Sequence, residues 1–307
     1  MSIPRDHHYL PQFYLDRWAV NGQVYHYVRP RGPGGILDGR WKPPSAVAYQ
    51  RDLYQLPDVA DPAESQELEL RFFQRIDDRA AIAIRVVDEG RHGSTEDRIA
   101  LSQFMVSVMH RSPSRLAAIR TELTAQQRGA PYEGLEGEQF DRVLKATANR
   151  LLSMLVENAD ASSVVSQFHT FKIQMRGARR QLLTSDRPIT LSAMLIAPDA
   201  FMILPHAPDR LLILARDGEI ARSFATQDPT VLVEGINQAV VEQSHDIVIA
   251  SDTQAKGMVD RLFLRPQPGR ILDSLGFIRR KSPYRDLRPK VRAFSRRDKA
   301  SMRYLGS

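Results

Sequence analysis

Apolar residues recur with helical spacing through the middle of this chain and with strand spacing on both sides of it, and that division limits the folds open to it. Over residues 62–87, Leu68, Phe72, Phe73, Ile76, Ala80, Ala83 and Ile84 fall on one helical face. Gly90 and Gly93 interrupt the pattern. Ser94 then offers an N-cap, with Glu96 and Asp97 placed to favour the N-terminal dipole of a second helix over 96–112. Pro113 is expected to kink this helix before it resumes towards residue 127. Residues 129–137 read as a loop, and further helices are expected over 138–158 and 162–175.

The flanks read differently. Asn21-Gly22 lies between Trp18-Ala19-Val20 and the run from Val24 to Val28, a hairpin signal because both turn residues tolerate positive φ. Asp38-Gly39 offers a second tight turn, and a short strand is expected within 46–56. Residues 201–204 and 211–214 flank His206-Ala207-Pro208-Asp209 and predict a second antiparallel hairpin. Asp228-Pro229 starts a helix to about residue 243, followed by a strand over 245–250 and a short helix over 251–263. Strands and helices are segregated by region, so the expected class is α+β, with antiparallel strands from the N-terminal and C-terminal regions around a helical middle. One domain is expected over 1–278, its helical middle at about 62–175, with a basic tail over 279–307.

Charge separates the tail from the body. The chain of 307 residues carries +7. Residues 279–307 hold eleven Lys and Arg against Asp286 and Asp298, a net +9, so residues 1–278 sum to −2. Such a tail reads either as a contact for nucleic acid or another acidic surface, or as a solvated extension that aids solubility. Its candidate nucleic-acid contacts are Arg279, Arg280, Lys281, Arg285, Arg288, Lys290, Arg292, Arg296 and Arg297. Cysteine is absent, which removes disulfides, a thiolate nucleophile and cysteine-ligated metals. The opening MSIPRDHH lacks the apolar run of a signal peptide, and no stretch of about eighteen apolar residues occurs. A cytoplasmic chain with no membrane partner is the expectation.

The candidate chemistry is dispersed. In His7-His8-Tyr9-Leu10-Pro11-Gln12-Phe13-Tyr14-Leu15, adjacent histidines of an extended segment face opposite ways, so at most one meets a given site. Either histidine could serve as acid, base or ligand, or could be a hydrogen-bonded structural residue. Glu69 and Asp77 share a stripe with Phe73, where two carboxylates could share a divalent cation, orient a base, or pair with Arg71, Arg75 and Arg79. Arg111 follows His110 at a helix end and reads as an anion clamp or as a C-terminal cap. Ser185 and Asp186, in Thr184-Ser185-Asp186-Arg187-Pro188, favour a turn, and Asp186 could be a ligand, a base orienter or a cap. Gly-rich phosphate loops, GxSxG and HExxH are absent from the sequence.

These segments together resemble a bacterial family known as domain of unknown function 4238. The likeness spans roughly residues 5–250. It rests on the HHYxPxFYL opening, on Glu69, Asp77 and Arg111, on the TSDxP-type segment, and on Asn237 in Gly235-Ile236-Asn237-Gln238. The resemblance carries no reaction with it; it implies that polar clusters far apart in sequence converge on one pocket. Histidine, carboxylate, arginine and a Ser/Asp pair suit a hydrolytic site for a phosphodiester, nuclease-like, with a defence or toxin role. In that reading His7 or His8 is the base, Arg111 stabilises developing charge, Ser185 and Asp186 are catalytic candidates, and Glu69 and Asp77, with Asp186, hold a divalent cation or orient the base. The other expectations are a non-enzymatic nucleic-acid binder using the tail, and a protein-interaction partner.

Overall fold

The structure is a computed structural model that describes residues 5–29, 35–126, 134–157, 159–192 and 195–264. The basic segment, with its nine candidate nucleic-acid contacts from Arg279 to Arg297, lies outside the described residues. The N-terminal part contains β1 (Asp6–His8), α1 (Gln12–Leu15), a 3-10 turn (Asp16–Trp18), β2 (Val24–Val28), β3 (Asp38–Lys42) and β4 (Tyr49–Arg51). The helical middle contains α2 (Pro62–Ser65), a π-helical stretch (Leu68–Phe73), α3 (Gln74–Asp88), α4 (Thr95–His110), α5 (Pro113–Gln126), α6 (Gly137–Glu157) and α7 (Ala159–Ser166). Then come β5 (His169–Gln174), β6 (Thr184–Ser185), β7 (Thr190–Leu191), β8 (Phe201–Ala207) and β9 (Arg210–Ala215). The described chain ends with α8 (Gly218–Ala225), α9 (Pro229–Gln243), β10 (Val248–Ala250) and α10 (Lys256–Leu262).

The class is α+β. Strands β3-β2-β10-β6 form one antiparallel sheet, β5-β9-β8-β7 a second, and β1 pairs with β4 alone. Alternation along the strands divides two cores. Val24, Ile249, Met202, Leu204, Leu212 and Leu214 face one cluster, with residues of α3 to α7 such as Ala80, Phe104, Leu116 and Leu152. Their neighbours Tyr27, Val248, Ala250, Ile203, Leu211 and Ile213 face the other, with Phe224, Ile236, Val240 and Val259 from α8, α9 and α10. The inner strands are therefore covered on both faces, which is why β8 is buried along its whole length, while the edge strands β3 and β5 stay partly open.

Local signals set the boundaries. The Asp61 side chain accepts from the amides of Ala63 and Glu64 ahead of α2. Ser94 and Asp97 form a reciprocal capping box at α4, and Asp228 caps α9 in front of Pro229. Asn21 and Gly22 have φ of 52° and 74°, as the tight turn requires. That turn, however, joins only a single bridge between Val20 and Gln23, because residues 12–18 wind into α1 and the 3-10 turn. The helix expected over 162–175 is also corrected: α7 ends at Ser166, and β5 begins at His169 and pairs with β9.

Candidate functional site

Strand β1 mounts the two histidines on opposite faces. His7 is fully buried, while His8 is half-buried. The His7 ring stacks on Tyr54 at 5.6 Å, and its Nδ1 accepts the Tyr54 backbone N–H at 3.0 Å. His8 Nε2 lies 3.3 Å from the carbonyl oxygen of Ser45. A carbonyl only accepts, so Nε2 carries the proton and Nδ1 holds the lone pair. Burial lowers the His8 pKa below 6.5, against the opposing effect of the Ser45 carbonyl. Pro11 then precedes α1, and Tyr14 and Trp18 anchor the segment: the Tyr14 hydroxyl bonds Thr184 Oγ1 at 2.7 Å and donates to the Pro205 carbonyl at 2.6 Å.

Arg111 comes to this strand from the end of α4. It is fully buried, with its guanidinium between the rings of Phe73 (5.8 Å) and Phe104 (5.9 Å). Its Nε donates to the Tyr9 carbonyl at 2.8 Å, and its Nη1 donates to both oxygens of Asp77, at 2.9 and 3.2 Å. Its own carbonyl accepts from the Tyr54 hydroxyl at 2.7 Å. Glu69 sits on the π-helical stretch and accepts a hydrogen bond from the His8 backbone N–H. Burial raises Glu69 from 4.5 to about 7, opposed by Arg111 and reinforced by Asp77. Burial also raises Asp77 from 3.8 to about 6 in spite of Arg111. Two buried atoms here, Arg111 Nη2 and Glu69 Oε2, meet no hydrogen-bond partner among the described residues.

The Thr184-Ser185-Asp186 segment builds a second cluster. Asp186 is buried, and its carboxylate accepts the backbone amides of His245, Asp246 and Ile247 at 3.0 to 3.3 Å. Ser185 Oγ accepts the Arg187 N–H at 3.1 Å and donates to the Val240 carbonyl at 3.5 Å. Both residues thus hold backbone in place. Asn237 does the same, bonding Leu183 N and the Gln181 carbonyl, each at 2.8 Å. Tyr9 links the clusters: its carbonyl takes Arg111, and Asp186, Asp246 and Tyr54 all add to the effect of burial that raises its phenol. Arg187 completes the link, donating to Ser114 Oγ at 2.9 Å. Sequence reading missed Tyr9 and Tyr54, and also a contact of 3.0 Å between His245 Nδ1 and Asp246 Oδ1. The adjacency of His245 and Asp246 was the one available sign of that contact.

Glu69, Asp77 and Arg111 thus come together beside β1, whose His7 and His8 side chains leave it on opposite faces. Ser185 and Asp186 adjoin them through Tyr9. Asp77 faces a guanidinium, and among the described residues no three His, Asp or Glu side chains gather to hold a metal ion. A recess lies elsewhere, lined by residues 180–183, Asn237, Ala250 and Met258. No described helix is long and apolar enough to cross a membrane.

Fold and site together define an α+β protein whose buried arginine ties an N-terminal histidine strand to two carboxyl groups of a helical middle. The chain belongs to the family described as Protein of unknown function (DUF4238), whose model matches residues 6–254. No curated protein and no solved structure matches it.

Proposed function

We propose that this protein is a hydrolase that acts on a phosphodiester, with His8, Glu69 and Arg111 at its centre. The observation that supports this most is the meeting of three unlike groups on one strand. A neutral imidazole has its Nδ1 lone pair uncommitted among the described residues, a carboxyl group accepts the same residue's N–H, and a guanidinium nitrogen is buried without a partner among those residues. His8 Nδ1 takes a proton from the attacking water. Glu69, protonated up to about pH 7, gives its proton to the leaving oxygen. Arg111 is fully buried behind this pair, so its positive charge acts on the phosphoryl oxygens through its field and not by contact, and Asp77 positions that guanidinium. His7 and Tyr54 lock the strand from behind. In this reading a divalent cation is not required of Glu69 and Asp77, since both carboxyl groups already have tasks.

The +9 charge of residues 279–307 supports a polyanionic substrate and, as a second reading, a nucleic-acid binder without catalysis. Hydrolysis of the dinucleotide TpT, whose alkoxide leaving group needs a proton, separates the two, because so small a substrate needs no long-range capture. Glu69→Gln is expected to lower turnover by about 10²–10⁴-fold with the fold retained. Equal rates in the two proteins would sink the catalytic reading.

A further inference from the structure

We infer that the face formed by β3, the end of β10, residues 176–180 and α10 binds single-stranded nucleic acid. This face lies on the opposite side of the sheets from Glu69 and Arg111, and the inference stands apart from the catalytic reading.

The loop from Arg176 to Arg180 is held by its backbone. Met175 N–H donates to the Asp209 carbonyl at 2.8 Å, Arg179 N–H to Thr230 Oγ1 at 3.4 Å, and Leu182 N–H to the Pro208 carbonyl at 2.7 Å. Gly177 turns the loop at φ +82°. Arg176, Arg179 and Arg180 are all exposed, and none meets a carboxylate among the described residues. Lys256, at the start of α10, is a fourth such cation. Nearby acids are engaged: Asp209 with Arg210 at 3.1 Å, Asp228 with the N-terminus of α9, and Asp252 with the Gln254 amide at 2.8 Å. In a body that sums to −2, this is a local excess of positive charge.

An aromatic platform stands beside it. Arg180 rims the shallow recess, and Ala250 lies in its wall. Ala250 is the cross-strand partner of Tyr25, and Tyr25 of Trp41, so all three share one face of the sheet. Trp41 is 42% exposed on the edge strand and packs edge-on against Tyr25 at 5.2 Å. Two strand spacings, about 10 Å, separate Trp41 from the recess wall. Gly39 makes this possible, since a Cβ there would come within 2.7 Å of the Tyr25 ring. Unpaired arginines that track a backbone, with an exposed ring on which a base can stack, are the combination that holds single strands without sequence preference.

The test is fluorescence anisotropy of the full chain with a labelled phosphorothioate oligothymidylate over a range of salt, a reading that needs no turnover. R176A/R179A/R180A is expected to reduce the slope of log K against log salt by about 2, at roughly 0.7 for each phosphate contact. Residues 279–307 are the same in both proteins, so their contribution cancels. Trp41→Ala is expected to weaken binding about 5-fold or more at fixed salt, with the slope unchanged. An unchanged slope in the arginine variant overturns the inference. So does an equal loss of duplex DNA or heparin affinity in the arginine variant, which would mark a general polyanion surface. Failure of TpT hydrolysis leaves this result untouched, so the two proposals fail separately.

Discussion

Removing the Asp77 carboxylate leaves Arg111 charged, buried between two phenyl rings and without a counter-ion. Breaking a buried pair from one side is costly, so Asp77→Asn should destabilise the fold by about 3 kcal/mol, read as a lower urea midpoint. A loss below about 1 kcal/mol would mean that the guanidinium finds another partner. Glu69 carries a pH linkage. Its folded pKa, about 7, lies above its ordinary 4.5, so the native state holds the extra proton and stability falls as pH rises through that window. Glu69→Gln should remove that fall; a stability–pH curve identical in both proteins would contradict the environment assigned to Glu69. At this scale the alternation of His7 and His8 was legible, because an extended segment must send neighbours to opposite faces. The pairing of Arg111 with Asp77, and the raised Glu69, were not legible. Both depend on a π-helical stretch that shifts the phase of residues 68–73, and periodicity does not reveal such a stretch.

Elements of this protein are held by side chains that cap backbone, and Asp186 is the clearest case. Its carboxylate collects three successive amides where α9 gives way to β10. Asp186→Asn keeps one acceptor oxygen, so amide exchange at residues 245–247 should speed up more than at the centre of α9. Uniform protection in the variant would show that the turn is held by other contacts. Capped helices were read well from sequence: Ser94 and Asp228 both mark true starts. The region 162–175 was not. Val165, Phe168 and Met175 are apolar at intervals a helix tolerates, but pairing with β9, apolar from Leu211 to Ala215, commits residues 169–174 to a strand. Long-range pairing of that kind has no local signal.

Across the whole molecule, Asp88 at the end of α3 ties together parts distant in sequence. It takes Arg17 from the N-terminal 3-10 turn, His206 from β8 at 3.0 Å and Arg210 from β9 at 3.0 Å. Its backbone carbonyl also accepts from Lys172 of β5. Burial opposes the charge of Asp88, but the bonds from His206 and Arg17 outweigh it and hold the carboxyl well below its ordinary 3.8. A depressed carboxyl contributes stability that is present above pH 3.8 and lost below it. Asp88→Asn should therefore lower stability at neutral pH and flatten the acid limb of unfolding; an unaltered acid limb would contradict this. The α+β class was legible at this scale because strand and helix patterns occupied separate stretches. The two cores on either side of the sheets were not, since strand order cannot be read from a single sequence.

The central claim is that His8 and Glu69 work as base and acid. The pH dependence of kcat/KM for the dinucleotide TpT, whose leaving alkoxide needs a proton, tests it most directly. The rate should rise as His8 loses its proton below pH 6.5 and fall as Glu69 ionises near pH 7, giving a narrow bell. Glu69→Gln should leave only residual turnover without the falling limb. A profile with the same falling limb in that variant, or no turnover in the wild-type protein at any pH, would contradict the account.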